Sequence, residues 1–421
     1  MDYPIAKRRT RLRNYVSSVL SRGTPVYAFF EADLRRNYRA LRDALDEHYP
    51  DSRVHFAVKS NFNLGVLSVL ADAGCGAEAF SGCELSATLR AGFDADDMLL
   101  TGLNRDQSEI KRALETGVRR FLVDNAAELE RVTDAAAATD TTPRVLLRGN
   151  PAMAVPTHPE IATATRESKF GLDIASGRAM AVARDAVESD RVELAGVQLH
   201  IGSQVTATDP YAVATRAMLE FAADIRDELG VEPEILDMGG GFPVPYDETV
   251  PDAVDIVETI ADVVETLCDE RDMDRPRLFL EPGRRLVGNA GTLLATVGVI
   301  KETPHSTFAV LDAGTNTVSS YWPYPIYALD DDEATEQYDI AGPLCYTGDV
   351  IQEDVQLPAL ESGDVLAIDR VGAYSLGSAS HTNAMPKPPA VLVRTDGTVD
   401  LVRPREDCDD VLTGQVPPDL R

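Results

Sequence analysis

The sequence predicts an α/β protein built as a (β/α)8 barrel followed by a C-terminal all-β domain. Two patterns in the 421 residues predict this fold class. From about residue 30 to 290, short apolar runs alternate with amphipathic stretches rich in Ala, Leu, Glu and Arg, which is typical of parallel strands joined by crossover helices. After about residue 290, the runs are short, β-branched and separated by Gly, Pro and Asp, which is typical of an all-β domain.

The barrel is predicted from eight strand candidates, one for each strand–helix unit. They are residues 54–58, 77–80, 98–101, 120–123, 144–148, 196–200, 235–238 and 277–280. We therefore place the barrel domain at residues 30–290 and the β domain at residues 291–421. An apolar run at residues 26–29, within an N-terminal segment of residues 1–29, is expected to add a strand to the β domain.

The charge balance restricts the classes of partner. The formal net charge is −29 and the isoelectric point is near 4.5, which argues against nucleic acid or an anionic membrane as a partner. The acidic residues are spread along the chain. This pattern indicates either adaptation to high salt, where repulsion between acidic side chains is screened, or an ordinary acidic cytoplasmic protein.

The five cysteines are scattered and show no C-x-x-C spacing, so we expect reduced thiols and no bound metal. The N-terminus carries no signal-peptide pattern, and no run of about 18 apolar residues occurs. The expected location is therefore the cytoplasm, without a membrane partner.

In such a barrel, chemistry takes place at the carboxyl ends of the strands, where the βα loops meet. Lys59 follows the apolar run His55–Val58 and is one of only six lysines. Desolvation at the mouth of a buried strand makes a lysine amine nucleophilic, as a Schiff-base lysine requires. The alternative is a lysine that extends from a strand end into solvent.

Two further segments follow predicted strands. In His200-Ile201-Gly202-Ser203, the imidazole can lie against an aromatic cofactor ring and Ser203 can bind a phosphate oxygen; alternatively, His200 is a core residue bonded to the backbone. The triplet Gly239-Gly240-Gly241 exposes N–H groups to an anion because no Cβ blocks the approach, although a flexible turn explains it too. The spacing is not G-x-G-x-x-G, so a dinucleotide fold is not indicated.

Glu281-Pro282-Gly283-Arg284 ends another predicted strand. A carboxylate at this point can keep a pyridine nitrogen protonated, which makes the ring an electron sink. Gly283 and Arg284 can supply N–H groups to a phosphate. The alternative is a surface turn.

The β domain contributes two candidates, Cys345 and Tyr374. Cys345 lies among turn residues in Gly342–Asp349, where a thiol can act as an acid above a substrate carbon. The alternative is a passive buried thiol. Tyr374 ends the segment Gly372-Ala373-Tyr374.

The order and types of these segments resemble the fold-type III pyridoxal-phosphate decarboxylases, the group containing diaminopimelate decarboxylase and the eukaryotic-type ornithine decarboxylases. The resemblance runs from about residue 24 to 395 and is nearest to the diaminopimelate decarboxylase branch. The segments that match this branch are Thr157–Thr163, Ser168–Gly171, Leu311–Gly314 and Gly363-Asp364. The resemblance implies an alanine racemase-like barrel with a C-terminal β domain, and decarboxylation of a small amino acid.

The resemblance also implies the cofactor pyridoxal 5'-phosphate, with Lys59 forming the internal aldimine. His200 would stack on the ring and Glu281 would pair with the ring nitrogen. The full set of implied cofactor-binding residues is Lys59, His200, Ser203, Gly240, Glu281, Gly283, Arg284 and Tyr374.

By the same resemblance, the catalytic residues are Lys59, His200 and Cys345, and the substrate-binding residues are Arg284, Tyr346 and Tyr374. Members of the family are homodimers with shared active sites. Cys345 would therefore reach the site of the second subunit and protonate the substrate carbon after CO₂ leaves.

Three departures from the diaminopimelate decarboxylase pattern concern the distal end of the substrate. Tyr346 stands where that enzyme has a glutamate that binds the distal amine. The segment Ser319–Tyr327 lacks the arginine that binds the distal carboxylate, and His381-Thr382-Asn383 replaces a Tyr-Asn pair. The cofactor residues are thus retained, while an aromatic set can accept a less charged or bulkier substrate tail.

Two alternatives stay open at the level of sequence. One is an amino-acid racemase of the same fold, although such racemases typically have an arginine at the pyridine nitrogen, where this chain has Glu281. The other is a non-catalytic homologue that binds pyridoxal phosphate. Such a protein is expected to lose the lysine or the acid, and this chain has both Lys59 and Cys345.

Overall fold

The computed structural model describes residues 5–153, 163–329 and 333–419. The chain divides into two compact units. The β unit comprises Met1–Asp33, Pro245–Glu248 and Val287–Arg421, and the barrel unit comprises Leu34–Val244 and Thr249–Leu286. Residues 157–162 of the matched segment Thr157–Thr163, and Asp330–Asp332, lie outside the described residues.

The described elements alternate as predicted through the barrel unit. The helices are α1 (Ile5–Leu20), α2 (Glu31–His48), α3 (Leu64–Asp72), α4 (Gly82–Ala91), α5 (Gln107–Glu115), α6 (Ala126–Thr139), α7 (Arg178–Glu188), α8 (Asp209–Leu229), α9 (Ala253–Arg271), α10 (Arg284–Val287) and α11 (Cys408–Leu412). The strands are β1 (Val26–Phe30), β2 (Ser52–Ala57), β3 (Gly76–Ala79), β4 (Met98–Leu100), β5 (Arg120–Val123), β6 (Arg144–Asn150), β7 (Leu172–Asp173), β8 (Glu193–Gln198), β9 (Ile235–Asp237), β10 (Arg277–Leu280), β11 (Gly291–Glu302), β12 (Thr307–Leu311), β13 (Ile326–Ala328), β14 (Glu336–Ala341), β15 (Val350–Leu357), β16 (Val365–Asp369), β17 (Ala390–Val393) and β18 (Val399–Arg403).

Eight parallel strands form a closed barrel, which confirms the predicted fold class. The strand order is β5-β4-β3-β2-β10-β9-β8-β6, and pairing of β5 with β6 closes the ring. Inside it, apolar side chains pack as one cluster: Leu99, Leu122, Leu146, Ala195, Ile235 and Phe279. Because the interior is filled, the loops at the carboxyl ends of the strands are the place for a site.

Polar residues at the ends of the loops fix where several barrel helices begin. The side chains of Asn63, Ser81, Asp106 and Asn125 accept backbone N–H groups from the first turns of α3, α4, α5 and α6, respectively. Such caps satisfy N–H groups that have no partner within the helix. They therefore hold the loops that precede these helices in defined positions.

Two strand bounds differ from the prediction at places that concern function. β2 ends at Ala57, and Val58–Ser60 forms a 3₁₀ turn. β8 ends at Gln198, although we expected it to reach His200. Lys59 and His200 therefore lie in loops just beyond the strand ends rather than on the strands.

In the β unit, strand β1 near the N-terminus pairs antiparallel with β11 and parallel with β17. Helix α1, which the sequence patterns did not predict, precedes it. Leu12 and Val19 of α1 are buried in the same apolar cluster as Val26 and Leu294. The N-terminal segment therefore contributes a helix as well as a strand to this unit.

Across the described ranges, no helix is long and apolar enough to cross a bilayer. Within the same ranges, no group of three or more His, Cys, Asp or Glu side chains is arranged to hold a metal ion.

Candidate active site

The candidate site lies at the carboxyl ends of four neighbouring barrel strands. β2, β10, β9 and β8 are adjacent in the ring. Lys59 follows β2, Glu281 follows β10, the glycine triplet follows β9, and His200 follows β8. Parallel pairing therefore brings together segments that are more than 200 positions apart in the sequence.

Lys59 is held by an ion pair. Its Nζ lies 3.1 Å from Oε2 of Glu78 on β3, and its side chain is 37% exposed while that of Glu78 is 2% exposed. The Lys59 amine is therefore only partly desolvated, and it has a charged partner that the sequence analysis did not predict. A nearly buried carboxylate holds the ammonium group at the rim.

A buried group of polar side chains lies next to Lys59. Glu281, Asp237 and Gln198 are all nearly inaccessible, and Gln198 Nε2 lies 3.3 Å from each carboxyl oxygen of Glu281. Burial raises the pKa of Asp237 to about 7. Burial, and then the negative charges of Asp237 and Glu78, raise the pKa of Glu281 well above its ordinary value.

His200 is neutral at physiological pH. Burial, and then the positive charges of Lys59 and Arg148, lower its pKa well below the ordinary value. The Gly240 N–H donates to His200 Nδ1 at 3.1 Å. Because Nδ1 accepts, the proton of the neutral ring lies on Nε2.

The glycine triplet is required by close backbone packing. A Cβ on Gly239 would lie 2.4 Å from the carbonyl oxygen of Leu199, and one on Gly240 would lie 2.5 Å from that of Glu281. The loops after β8, β9 and β10 thus approach too closely for side chains. Since His200 accepts the Gly240 N–H, the part of Gly240 in phosphate binding stays a prediction.

Three of the residues predicted to hold phosphate lie at the same rim: Ser203, Gly283 and Arg284. Arg284 Nη2 and Nε lie 3.3 and 3.4 Å from Ser203 Oγ, and Arg284 is nearly buried. The adjacent Gly283 packs on Ser60, since an added Cβ would lie 3.0 Å from the Ser60 Cβ. A nearly buried guanidinium beside a hydroxyl suits a phosphate group.

These residues fit pyridoxal phosphate by their chemistry. They comprise an amine at Lys59, a buried carboxyl at Glu281, a neutral imidazole at His200, and a guanidinium with a hydroxyl at Arg284 and Ser203. Amine, carboxyl and anion-binding groups are what the aldehyde, ring nitrogen and phosphate of this cofactor require.

In the β unit, Asp349 organises the loop that bears Cys345. Its buried carboxylate accepts the N–H groups of Leu344 and Thr315, each at 2.7 Å, and the Thr315 hydroxyl at 2.8 Å. A Cβ on Gly342 would lie 2.3 Å from Asp349 Oδ2. The loop is therefore built tightly around this carboxylate.

Cys345 and Tyr346 are both exposed on that loop. The Cys345 N–H donates to Asn383 Oδ1 at 2.8 Å. The Tyr346 hydroxyl lies 3.2 Å from Thr315 Oγ1. Asn383 thus holds the backbone of Cys345, and Thr315 holds the side chain of Tyr346, although both partners are distant in sequence.

Tyr374 occupies a strained turn in the β unit. It is half-buried and has a left-handed φ of 55°, which is uncommon for a bulky residue. A Cβ on Gly372 would lie 1.8 Å from the carbonyl oxygen of Val287, so this position has no room for a side chain.

The predicted aromatic set consists of Tyr321, Trp322, Tyr324 and Tyr346, and two of its members pack on one further ring in the β unit. Trp322 stacks on Tyr246 with ring centroids 5.1 Å apart, and Tyr324 meets Tyr246 edge-on at 5.7 Å. Tyr321, beside Trp322, is exposed. Tyr246 lies far away in the sequence, and the sequence analysis did not identify it.

The sequence analysis predicted no role for several other residues. Glu78, Gln198, Asp349 and Asn383 each contact a predicted site residue or its loop. Position at a strand end was an available signal for Gln198 and Glu78. Asp349 and Asn383 were named only as parts of Gly342–Asp349 and His381-Thr382-Asn383.

A closed parallel barrel with a lysine, a carboxyl and a guanidinium at one rim is the arrangement of a pyridoxal-phosphate-dependent enzyme. Residues 31–288 match the family model described as pyridoxal-dependent decarboxylase, pyridoxal binding domain. The chain belongs to this family. It is therefore a pyridoxal-phosphate-dependent carboxy-lyase acting on an amino acid, as predicted.

The relatives agree on the enzyme class. The chain is 37% identical to a diaminopimelate decarboxylase of Methanothermobacter thermautotrophicus, over 93% of this chain and 92% of the relative. It is 38% identical to one of Pseudomonas aeruginosa, over 93% of each chain. Among solved structures, the diaminopimelate decarboxylase of M. jannaschii in complex with L-lysine is similar, with a TM-score of 0.90, 34% identity, and coverage of 96% of this chain and 94% of that chain.

The contact between Asn383 and Cys345 yields a first prediction. Asn383→Gly removes the acceptor of the Cys345 N–H while tolerating the left-handed φ of 56° at this position. Since one hydrogen bond contributes about 1 kcal/mol, exchange of the Cys345 amide hydrogen should accelerate by roughly fivefold. Residue-resolved hydrogen exchange measures this rate.

Asn383→Asp is the matched control because it retains an oxygen acceptor and tolerates the same backbone conformation. Its exchange rate should stay near that of the unmodified protein. An unchanged rate in Asn383→Gly would show that Asn383 does not hold the loop.

Proposed function

We propose that this enzyme decarboxylates its substrate at Lys59, with Glu281 at the cofactor ring nitrogen and Cys345 as the proton donor. The observation that supports this proposal most is the convergence of Lys59, Glu281, His200 and Arg284 at adjacent strand ends. Lys59 forms an ion pair, and Glu281 has a neighbouring carboxyl. His200 accepts a backbone N–H, and Arg284 contacts a hydroxyl.

Pyridoxal phosphate, when bound, supplies a cationic ring that delocalises the electron pair left as CO₂ departs. Lys59 holds the cofactor covalently through Nζ, and Glu78 keeps that amine at the rim. Glu281 keeps a proton at the ring nitrogen. A carboxyl rather than an arginine at this place supports decarboxylation over racemisation.

His200 lies against the ring in this proposal. Because its pKa is low, the imidazole adds no positive charge beside the ring. Gly240 fixes its orientation through Nδ1. Ser203, Gly240, Gly283, Arg284 and Tyr374 then hold the phosphate end, and Arg284 and Tyr374 also contact the substrate.

We further propose that the active form is a homodimer in which Cys345 serves the Lys59 site of the other subunit. Two observations support a role for this thiol. It is exposed, and its loop is fixed by Asp349 and Asn383, so the thiol is presented in a defined position. The proton that it gives to the α-carbon completes the reaction.

The substrate is proposed to be an amino acid other than meso-diaminopimelate, although the relatives carry that name. The Tyr346 hydroxyl is hydrogen-bonded to Thr315. The segment Ser319–Tyr327 carries aromatic rings rather than an arginine. A distal amine and carboxylate would therefore lack their charged partners. A less charged or bulkier tail is better suited to these rings.

The lysine assignment predicts that Lys59→Ala abolishes both the yellow absorbance of the bound cofactor and CO₂ release, because no other group takes over the covalent link. Absorption spectra and a CO₂-release assay measure the two losses. Lys111→Ala, at an exposed lysine of α5, is the control and should keep both. Full activity in Lys59→Ala would refute the assignment.

The shared site predicts complementation between two inactive variants. Mixing Lys59→Ala with Cys345→Ala should restore one working site per heterodimer, or about a quarter of full activity after random exchange of subunits. Lys59→Ala mixed with the double variant Lys59→Ala/Cys345→Ala should stay inactive. If native mass spectrometry shows heterodimers and activity does not return, the thiol does not act across subunits.

The altered distal residues predict a low kcat/KM for meso-diaminopimelate. Loss of two charged contacts should cost about 2–5 kcal/mol, which is at least a factor of about 30. A CO₂-release screen over diaminopimelate, lysine, ornithine, arginine and acylated amino acids, at low and high salt, measures this preference.

Tyr346→Glu should raise kcat/KM for diaminopimelate by roughly tenfold, because it restores one charged contact. Tyr321→Glu, at a nearby exposed tyrosine, is the control and should not. If diaminopimelate exceeds every other substrate in the unmodified enzyme, the specificity argument is wrong.

A further inference from the structure

The ends of β8, β9 and β10 place three buried polar side chains side by side. Gln198 and Asp237 are register partners on adjacent strands. Glu281 follows β10, and its N–H donates to the carbonyl of Gly239, just after Asp237. Asp237 is 0% exposed and Glu281 is 4% exposed. Neither carboxyl can therefore be stabilised by bulk water.

Each carboxyl acts on the pKa of the other, and the buried Asp237 Oδ2 has no hydrogen-bond partner among the described residues. The other Asp237 oxygen, Oδ1, accepts the Gly239 N–H at 2.9 Å. Two carboxylates offer only acceptors, so a hydrogen bond between them requires one proton on the pair. Two buried negative charges in contact would otherwise repel each other strongly.

The positive and negative charges next to Asp237 and Glu281 nearly cancel each other. Lys59 and Glu78 act on both carboxyls with opposite signs, and they form an ion pair with each other at 3.1 Å. Gln198 contributes a neutral amide that donates to Glu281. His200, in the loop beyond Gln198, is neutral. No full positive charge is therefore left over to hold both carboxyls in the ionised state.

We propose that Asp237 is a positioning residue that shares one proton with Glu281 and thereby stores the proton destined for the cofactor ring nitrogen. The proposal rests on the proposed function, because the proton matters only if the ring nitrogen faces Glu281. When the proton moves from Glu281 to that nitrogen, two carboxylates and one cationic ring result. The total charge is unchanged, and no proton is taken from solvent for this step.

This assignment predicts a difference in proton uptake when the apoenzyme binds pyridoxal phosphate. Asp237→Asn removes the negative charge that, after burial, keeps Glu281 protonated, so a larger fraction of Glu281 is ionised before the cofactor arrives. The ring nitrogen must then take its proton from the buffer. At about pH 8, a value chosen to lie above the Asp237 pKa of about 7 so that the unmodified pair carries one proton, the variant should take up more protons per site than the unmodified enzyme, up to about one.

Calorimetry in buffers of different ionisation enthalpy measures this number. Protons exchanged by the free cofactor itself cancel in the comparison between the two proteins. A purely structural Asp237 would leave the number of protons unchanged in Asp237→Asn. Equal uptake by the two proteins would therefore overturn the proposal.

A measurement on the unmodified enzyme covers the case in which Asp237→Asn does not fold. Its infrared difference spectrum on cofactor binding should show loss of one protonated-carboxyl band, and Glu281→Gln should not show that loss. Retention of the band in the unmodified enzyme would also overturn the proposal. Absence of cofactor binding at Lys59, seen as no yellow absorbance in any of these proteins, would instead indicate that the proposed function has failed.

Discussion

Closure of the barrel by the pairing of β5 with β6 is the constraint on which the site depends. Once the ring is closed and every strand is parallel, all the carboxyl ends meet at one rim. Side chains from β2, β3, β8, β9 and β10 then contact each other without any local sequence relation. The glycines at the rim follow from the same constraint, because a Cβ on Gly239 or Gly240 would collide with a neighbouring loop.

Several ionisable groups at the rim are shielded from water, so neighbouring groups must compensate their charges. Lys59 pairs with Glu78, and the charge of Asp237 acts on Glu281, so each of these ionisable groups has another one nearby. A buried charge without such a partner would cost several kcal/mol. The carboxyls outnumber the lysine, and the proposed shared proton would reduce this excess of negative charge. In the proposed function, the same excess would favour a cationic ring nitrogen beside Glu281.

The sequence was sufficient for the fold class and for the residues that lie directly after strands. Alternation of strand and helix signals predicted the eight barrel strands, and position at a strand end selected Lys59, His200 and Glu281. These features are local, because a period of two and an adjacent loop can be recognised within a few residues. The same reasoning could not supply helix α1, whose burial depends on strands nearly 300 and more residues away.

Partners across long separations were not predictable for a physical reason. The contacts of Gln198 with Glu281 and of Cys345 with Asn383 span 83 and 38 residues. Such pairs depend on strand register and loop conformation rather than on any pattern near either residue. The surroundings of Lys59 illustrate the limit: the position was identified, but its charge partner on β3 was not predicted.

In the β unit, the residues that hold the Cys345 loop differ from the side chain proposed to contact the substrate, Tyr346. Asp349 and Asn383 hold the Cys345 loop through backbone N–H groups, so the loop conformation does not depend on which side chain follows the cysteine. The side chain at Tyr346 projects into solvent and contacts Thr315. The side chain at position 346 can therefore change without disturbing the backbone at Cys345. In the proposed function, this arrangement would let the distal recognition of the substrate change while the proposed proton donor stays in place.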